Sequence, residues 1–153
     1  MKKPRAAIVM GSRSDMPIME KAERIFEEFG VEYETIISSA HRQPARTRSV
    51  AMGFEKKGVD IVIAAAGKAA HLPGVLASWV TVPVIGVPIS SAPLNGIDSI
   101  LSIAQMPKGV PVACVGINES ENAALLAIQI LGLKYPAVAK KFRAHKIKLA
   151  KTR

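Results

Sequence analysis

A chain of 153 residues, 49% of them hydrophobic, suits one folded domain with a core of its own and excludes a disordered polypeptide. No apolar run reaches the roughly 18 residues of a membrane-spanning helix. The formal charge of +9 is gathered at one end: positions 140–153 hold seven Lys or Arg and no acid, and the remainder carries 14 basic residues against 12 acidic, so the excess reads as a solvated helical tail rather than a nucleic-acid face.

The start, Met1-Lys2-Lys3-Pro4-Arg5, is basic. The apolar stretch behind it stops at Gly11, too short for a signal peptide, and 6–10 reads as a buried strand. After Ser12-Arg13-Ser14-Asp15, the residues Ile18, Ala22, Ile25, Phe26 and Phe29 share one helical face, and Gly30 closes that helix. A second strand spans 31–38. Pro44 is placed to open a helix that ends near Gly58. The third strand, 60–66, is apolar throughout, as central parallel strands are. A loop over 67–74 runs into a helix. Pro83 marks the beginning of a fourth strand and Pro88 its end. A short helix over 97–104, a fifth strand over 110–117, a helix from Glu119 or Ser120 to Leu131 and a final helix after Pro136 complete the chain. The single cysteine, Cys114, excludes an intrachain disulfide framework and fits the reducing cytoplasm.

Strands alternating with helices through short connections predict an α/β protein with a parallel sheet covered on both faces. The expected organisation is one α/β domain over 1–153 with a basic helical tail over 137–153. Such sheets bind ligands beyond the carboxyl ends of their strands. That rule singles out the loops at 11–15, 38–44 and 67–74.

In the first loop, Ser12 and Ser14 offer hydroxyls, and the helix start offers free amides and a positive dipole end, which suit a phosphate. The plainer alternative is that Ser14 or Asp15 merely caps the helix. The loop is neither a Walker loop nor a dinucleotide fingerprint, because the required Lys and further glycines are missing. In the second loop, Arg42 has a fork that chelates phosphate, and His41 supplies an imidazole, the side chain type suited to proton transfer. In the third, small residues surround His71, fitting close approach of backbone to a flat ligand, or equally tight helix–strand packing. His41 and His71 have no partner Cys or carboxylate at metal-site spacing, and no serine sits in a nucleophile elbow. The residues alone therefore support an α/β domain for a phosphorylated small molecule, with a histidine acid/base.

Several ordered motifs carry a resemblance. Gly11-Ser12-Arg13-Ser14-Asp15, Ser39-Ala40-His41-Arg42, Ala70-His71-Leu72-Pro73-Gly74, Pro83-Val84-Ile85-Gly86-Val87-Pro88, Leu94-Asn95-Gly96-Ile97-Asp98-Ser99 and Gln105-Met106-Pro107-Lys108-Gly109-Val110-Pro111 follow one another in this chain. Together they resemble the N5-carboxyaminoimidazole ribonucleotide mutase family, also called the phosphoribosylaminoimidazole carboxylase catalytic subunit. The resemblance spans about 8–131 and is far more specific than any one motif. It implies a flavodoxin-like three-layer α/β/α sandwich with a five-stranded parallel sheet, a C-terminal helix, an octamer, and a site that uses neither metal nor organic cofactor. It implies that Ser12, Ser14 and Arg42 hold the phosphate and Asp15 the ribose. It implies that Ser39, Ala40, Gly67, Ala69, Ala70 and Leu72 shape the pocket for base and carboxylate, with His41 as acid/base and His71 beside it. The implied reaction moves a carboxyl from the exocyclic nitrogen to ring carbon four in purine biosynthesis. An ATP-dependent carboxyaminoimidazole ribonucleotide synthetase is the implied functional partner; nucleic acid and membrane are not.

The chain departs from the family pattern in places. Lys68 stands where many members have a second glycine, and Gln43 replaces a usual threonine. Ile117-Asn118-Glu119-Ser120-Glu121 is about two residues shorter than the common loop. A related class that fixes free carbon dioxide carries an arginine near position 68 but lacks the His-Leu-Pro-Gly run kept here. The Lys68 stem is expected to lie along the surface with its ammonium in water. The helix over 120–131 is apolar on nearly every side, which predicts a subunit interface. Two other readings are a nucleotide-binding module without catalysis and a purely structural assembly protein.

Overall fold

The computed structural model describes residues 3–151. Strand β1 (Arg5–Met10) leads through a single 3-10 turn at Arg13–Asp15 into helix α1 (Met16–Phe29). Then follow β2 (Glu32–Ile37), α2 (Pro44–Lys57), β3 (Ile61–Gly67), α3 (Leu72–Ala77), β4 (Val84–Ile89), α4 (Ile97–Ala104), β5 (Ala113–Cys114), α5 (Ser120–Gly132) and α6 (Pro136–Lys151). Helices α1 and α2 stop at Gly30 and Gly58, whose φ angles of 73° and 69° are left-handed. Glycine takes that conformation without a Cβ clash and lets the chain turn back into the next strand.

The five strands are all parallel and ordered β2-β1-β3-β4-β5, the flavodoxin-like arrangement. Side chains alternate strictly across the sheet. Ala6, Ile8, Met10, Ile61, Ile63 and Ala65 pack with Phe26, Ala127 and Ile128 beneath α1, α5 and α6. Ala7, Val9, Val62 and Ala64 pack with Phe54, Leu76 and Ile103 beneath α2, α3 and α4. The result is a three-layer sandwich with a core on each face. A Cβ on Gly86 would lie 2.4 Å from Ile103 Cγ2 and 3.3 Å from Pro73 Cβ, so only a glycine lets α3 and α4 approach β4 so closely.

Two strand boundaries differ from the expectation. Pro88 lies inside β4, which runs on to Ile89. The Pro88 carbonyl faces β5 and accepts the Asn118 N–H at 2.8 Å; the missing Pro N–H faces the same side, where β5 has already left the ladder. The fifth strand shrinks from the expected 110–117 to Ala113–Cys114. It is an edge with one neighbour, and Pro111 has no N–H to contribute.

Helix α5 was expected to need a partner subunit for its apolar perimeter. Within the chain, Ala123, Ala124, Ala127, Ile128 and Leu131 are buried, while Leu125, Leu126 and Ile130 pack partly against the same core. Helices α1 and α6 flank it, so its composition does not by itself demand another subunit. The expected basic tail is α6; Thr152 and Arg153 lie outside the described residues. Among the described residues, no helix is long and apolar enough to cross a membrane.

Away from the strand tips, Asp60 ties the opposite end of the sheet together. Its carboxylate accepts the Arg5 N–H at 3.1 Å, the Lys134 ammonium at 2.8 Å and the Tyr135 hydroxyl at 2.9 Å. Burial works to raise its pKa, but these donors outweigh burial and hold it below the usual aspartate value.

Candidate functional site

The chain runs outward from β1 to β2 and then crosses back to β3, leaving a cleft between the loops that follow these strands. This cleft has a volume of about 560 Å³, a size suited to a small-molecule ligand.

The loop after β1 is held by a reciprocal cap. The Ser14 N–H donates to Ser12 Oγ at 3.3 Å, and the Ser12 N–H donates to an Asp15 carboxylate oxygen at 3.2 Å. Ser12 and Asp15 thereby close the 3-10 turn, whereas helix α1, which starts behind Asp15, has no side-chain cap, so neither Ser14 nor Asp15 caps it as the plainer alternative expected. The Ser14 hydroxyl donates to Ser12 Oγ at 2.8 Å, so the two hydroxyls meet at the cleft wall. Asp15 is 7% exposed; burial raises its pKa, against the hydrogen bonds from Ser14 and Ser12.

The loop after β2 is pinned from below. Ser38 is buried, and its hydroxyl lies 2.8 Å from the Thr47 hydroxyl on α2. Above that anchor, the Arg42 guanidinium reaches across to the first loop. It donates to the Gly11 carbonyl at 3.3 Å and to Ser39 Oγ at 3.4 Å. A guanidinium has five N–H donors, so this posture leaves others for an anion.

The loop after β3 closes the far side. A Cβ on Gly67 would sit 3.3 Å from the Ile89 carbonyl oxygen, so glycine lets β3 turn away beside β4. The His71 ring then meets His41. His41 Nε2 and His71 Nδ1 are 2.8 Å apart, with the rings nearly perpendicular at 82°. Such a bond forms with the proton on either nitrogen. Both rings are exposed on the cleft side.

Ser12, Ser14, Asp15, Ser39, Ala40, His41, Arg42, Gly67, Ala69, His71 and Leu72 all line this cleft. Ala70 does not: it is 1% exposed and belongs to the core under α3. In that position the small side chain serves helix–strand packing. The cleft also takes in Lys68, singled out in the sequence as a departure from the family pattern, and Ser90 and Ser91, which sequence reasoning passed over. Lys68 is exposed, as expected, but it sits on the cleft wall rather than apart from it. Ser90 and Ser91 follow β4, and the strand-end rule applied to a fourth strand would have found them. The Ser91 hydroxyl is buried and has no hydrogen-bond partner among the described residues. Among the described residues, no group of three or more His, Cys, Asp or Glu is placed to hold a metal ion.

Comparison with known proteins agrees in fold and in sequence. The chain is 57% identical over 143 residues to the N5-carboxyaminoimidazole ribonucleotide mutase of Pyrococcus horikoshii, covering 94% of this chain and 81% of that protein. It is 52% identical over 132 residues to the phosphoribosylaminoimidazole carboxylase of Saccharomyces cerevisiae, covering 86% of this chain but 23% of that longer one. The crystal structure of Treponema denticola PurE superimposes with a TM-score of 0.87 at 32% identity, covering 97% of this chain and 93% of that one. The AIR carboxylase family model matches residues 5–152, and the chain belongs to that family.

Proposed function

We propose that this chain is an N5-carboxyaminoimidazole ribonucleotide mutase, converting that nucleotide to 4-carboxyaminoimidazole ribonucleotide in de novo purine biosynthesis. The observation that carries the proposal is the His41–His71 pair at 2.8 Å, set between an anion-ready loop and a loop of small residues. The phosphate lies against Ser12, Ser14 and Arg42, and the ribose hydroxyls meet Asp15. The base lies along Ser39, Ala40, Gly67, Ala69 and Leu72, where little side chain stands in the way of a flat ring.

The chemistry then needs one proton carrier. The carbon–nitrogen bond of the carbamate breaks, releasing carbon dioxide, and His41 protonates the departing nitrogen. Ring carbon four attacks the trapped carbon dioxide, forming the new carbon–carbon bond. His41, now basic, removes the ring proton and is ready for another cycle. Acid and base are the same residue, so no net proton is consumed. His71 holds the His41 ring in place and shares its proton.

The reading treats residues 1–153 as one domain acting in the cytoplasm, a setting that fits one unpaired cysteine. It also expects a closed homo-oligomer, an octamer. The support is a group of exposed apolar side chains on and just before α4, Leu94, Ile97 and Leu101, which are 54%, 58% and 55% exposed. Functional coupling to the ATP-dependent synthetase that makes the unstable substrate is supported by the much longer yeast relative.

A second reading, capture of free carbon dioxide on aminoimidazole ribonucleotide, is favoured by one observation: Lys68 is among the residues that line the cleft. One assay separates the two. The purified protein is given the N-carboxylated nucleotide without bicarbonate, or aminoimidazole ribonucleotide with it. Product from the first substrate is expected. Product from the second alone would establish the carboxylase, and binding without product a non-catalytic module.

A further inference from the structure

We infer that Lys68 is a specificity residue of this cleft: its ammonium binds the carboxylate borne by the nucleotide, on the side of the site away from the phosphate. The inference rests on the proposed carboxylated ligand and goes beyond it in naming the group that recognises the carboxyl.

The charges lining the cleft are distributed unevenly. Asp15 is the one acid, and Arg42 and Lys68 are the one arginine and the one lysine among the lining residues. Arg42 is committed to the β1–β2 side by its bonds to the Gly11 carbonyl and to Ser39 Oγ. Lys68 follows β3, on the β3–β4 side, next to the Gly67–Ile89 contact. The carboxylates that lysines do pair with, Glu34 with Lys57 at 2.6 Å and Asp60 with Lys134 at 2.8 Å, lie away from the cleft. Among the described residues, the Lys68 side chain has no hydrogen bond and no ion pair. The cleft is thus lined by two basic residues on two sides, and one of them is unanswered by the protein. A nucleotide with a phosphate at one end and a carboxylate at the other answers both.

The backbone adds an independent argument. Lys68 has a φ of 54°, in the left-handed region. A glycine would adopt that turn without steric cost, whereas a lysine carries a Cβ penalty. The turn itself therefore gives no reason for a lysine. Strained residues of this kind gather at ligand sites, where the surrounding structure holds them in place.

The group that moves is an anion in both substrate and product. A cation that binds it in both states tightens binding without accelerating the step. The signature is accordingly in affinity, and only for carboxylated nucleotides. Titration calorimetry is performed on the full chain with 4-carboxyaminoimidazole ribonucleotide and, separately, with aminoimidazole ribonucleotide. Lys68→Gly is expected to weaken the carboxylated ligand about fivefold, the scale of one partly solvated ion pair, and to leave the other within about twofold. Lys68→Arg is expected to restore the carboxylated affinity. The melting temperature of Lys68→Gly should equal or exceed that of the parent, because the left-handed turn is relieved, and this establishes that the variant is folded. Equal affinities of parent and Lys68→Gly for the carboxylated ligand would overturn the inference, as would a parallel loss for both ligands. Because binding is read without turnover, failure of the mutase assay leaves this measurement standing, and a flat calorimetric result leaves the mutase reading standing.

Discussion

His41 Nε2 and His71 Nδ1 lie 2.8 Å apart although 30 positions separate them in the chain. Each comes from the loop after a different strand, so the contact depends on the return crossing from β2 to β3. Replacing His41 with Asn should abolish turnover while leaving nucleotide affinity within about tenfold, because proton transfer is lost and the phosphate contacts remain. His71→Asn should reduce kcat less, since it removes a partner of the acid/base and not the acid/base itself. Steady-state rates and calorimetry on both variants check this. A near-normal rate for His41→Asn would remove His41 from the mechanism.

Arg42 spans two loops and still has donors for an anion. Arg42→Lys keeps the charge and loses the fork, so nucleotide affinity should fall by about tenfold or more even for this conservative change. The same loss should appear for the carboxylated and the uncarboxylated nucleotide, unlike the selective loss expected at Lys68. An unchanged dissociation constant would rule out a phosphate role.

The Asp60 cluster predicts how stability responds to acid. Its carboxyl titrates below the usual aspartate value when folded, so the folded state binds its proton less readily than the unfolded chain. The stabilisation is therefore complete above about pH 5 and is lost as pH falls through about 4 toward the folded value. Asp60→Ala should cost about 2 kcal/mol at neutral pH, the scale of hydrogen bonds to a charged group, and flatten the acid limb of the stability curve. Urea titrations of parent and variant between neutral and acid pH read both effects. A parallel offset at every pH would mean that the carboxylate charge is not responsible.

Leu101 is 55% exposed on α4, one turn after the similarly exposed Ile97, and Leu94 is exposed in the turn before the helix. If these side chains form an interface between copies, Leu101→Glu should shift the species seen by light scattering from the octamer to smaller forms, with little change in the far-ultraviolet dichroism of each chain. A parent protein that stays monomeric at assay concentration would remove the oligomer from the proposal.

Much of the architecture is written locally and was legible for that reason. Uninterrupted apolar runs such as Ile61-Val62-Ile63 mark buried parallel strands, and Gly30 and Gly58 close helices because only the left-handed turn matters there. The loops at Ser12, His41 and Gly67 could be named as a site because ligand clefts form at strand ends, a rule that needs strand order only in outline. Tertiary structure decided the rest, because it turns on which neighbours are present. Pro88 stays inside β4 because its missing donor faces an edge that β5 has already left. Ala70 joins the core and Ser91 the cleft, although both are small residues in loops, because Leu72 and Ile89 sit where they do. Helix α5 draws part of its cover from α1 and α6 of the same chain, which nothing in its own composition records. Periodicity records which face of an element is apolar; it does not record what will be packed against that face, since that depends on the chain returning from a distance.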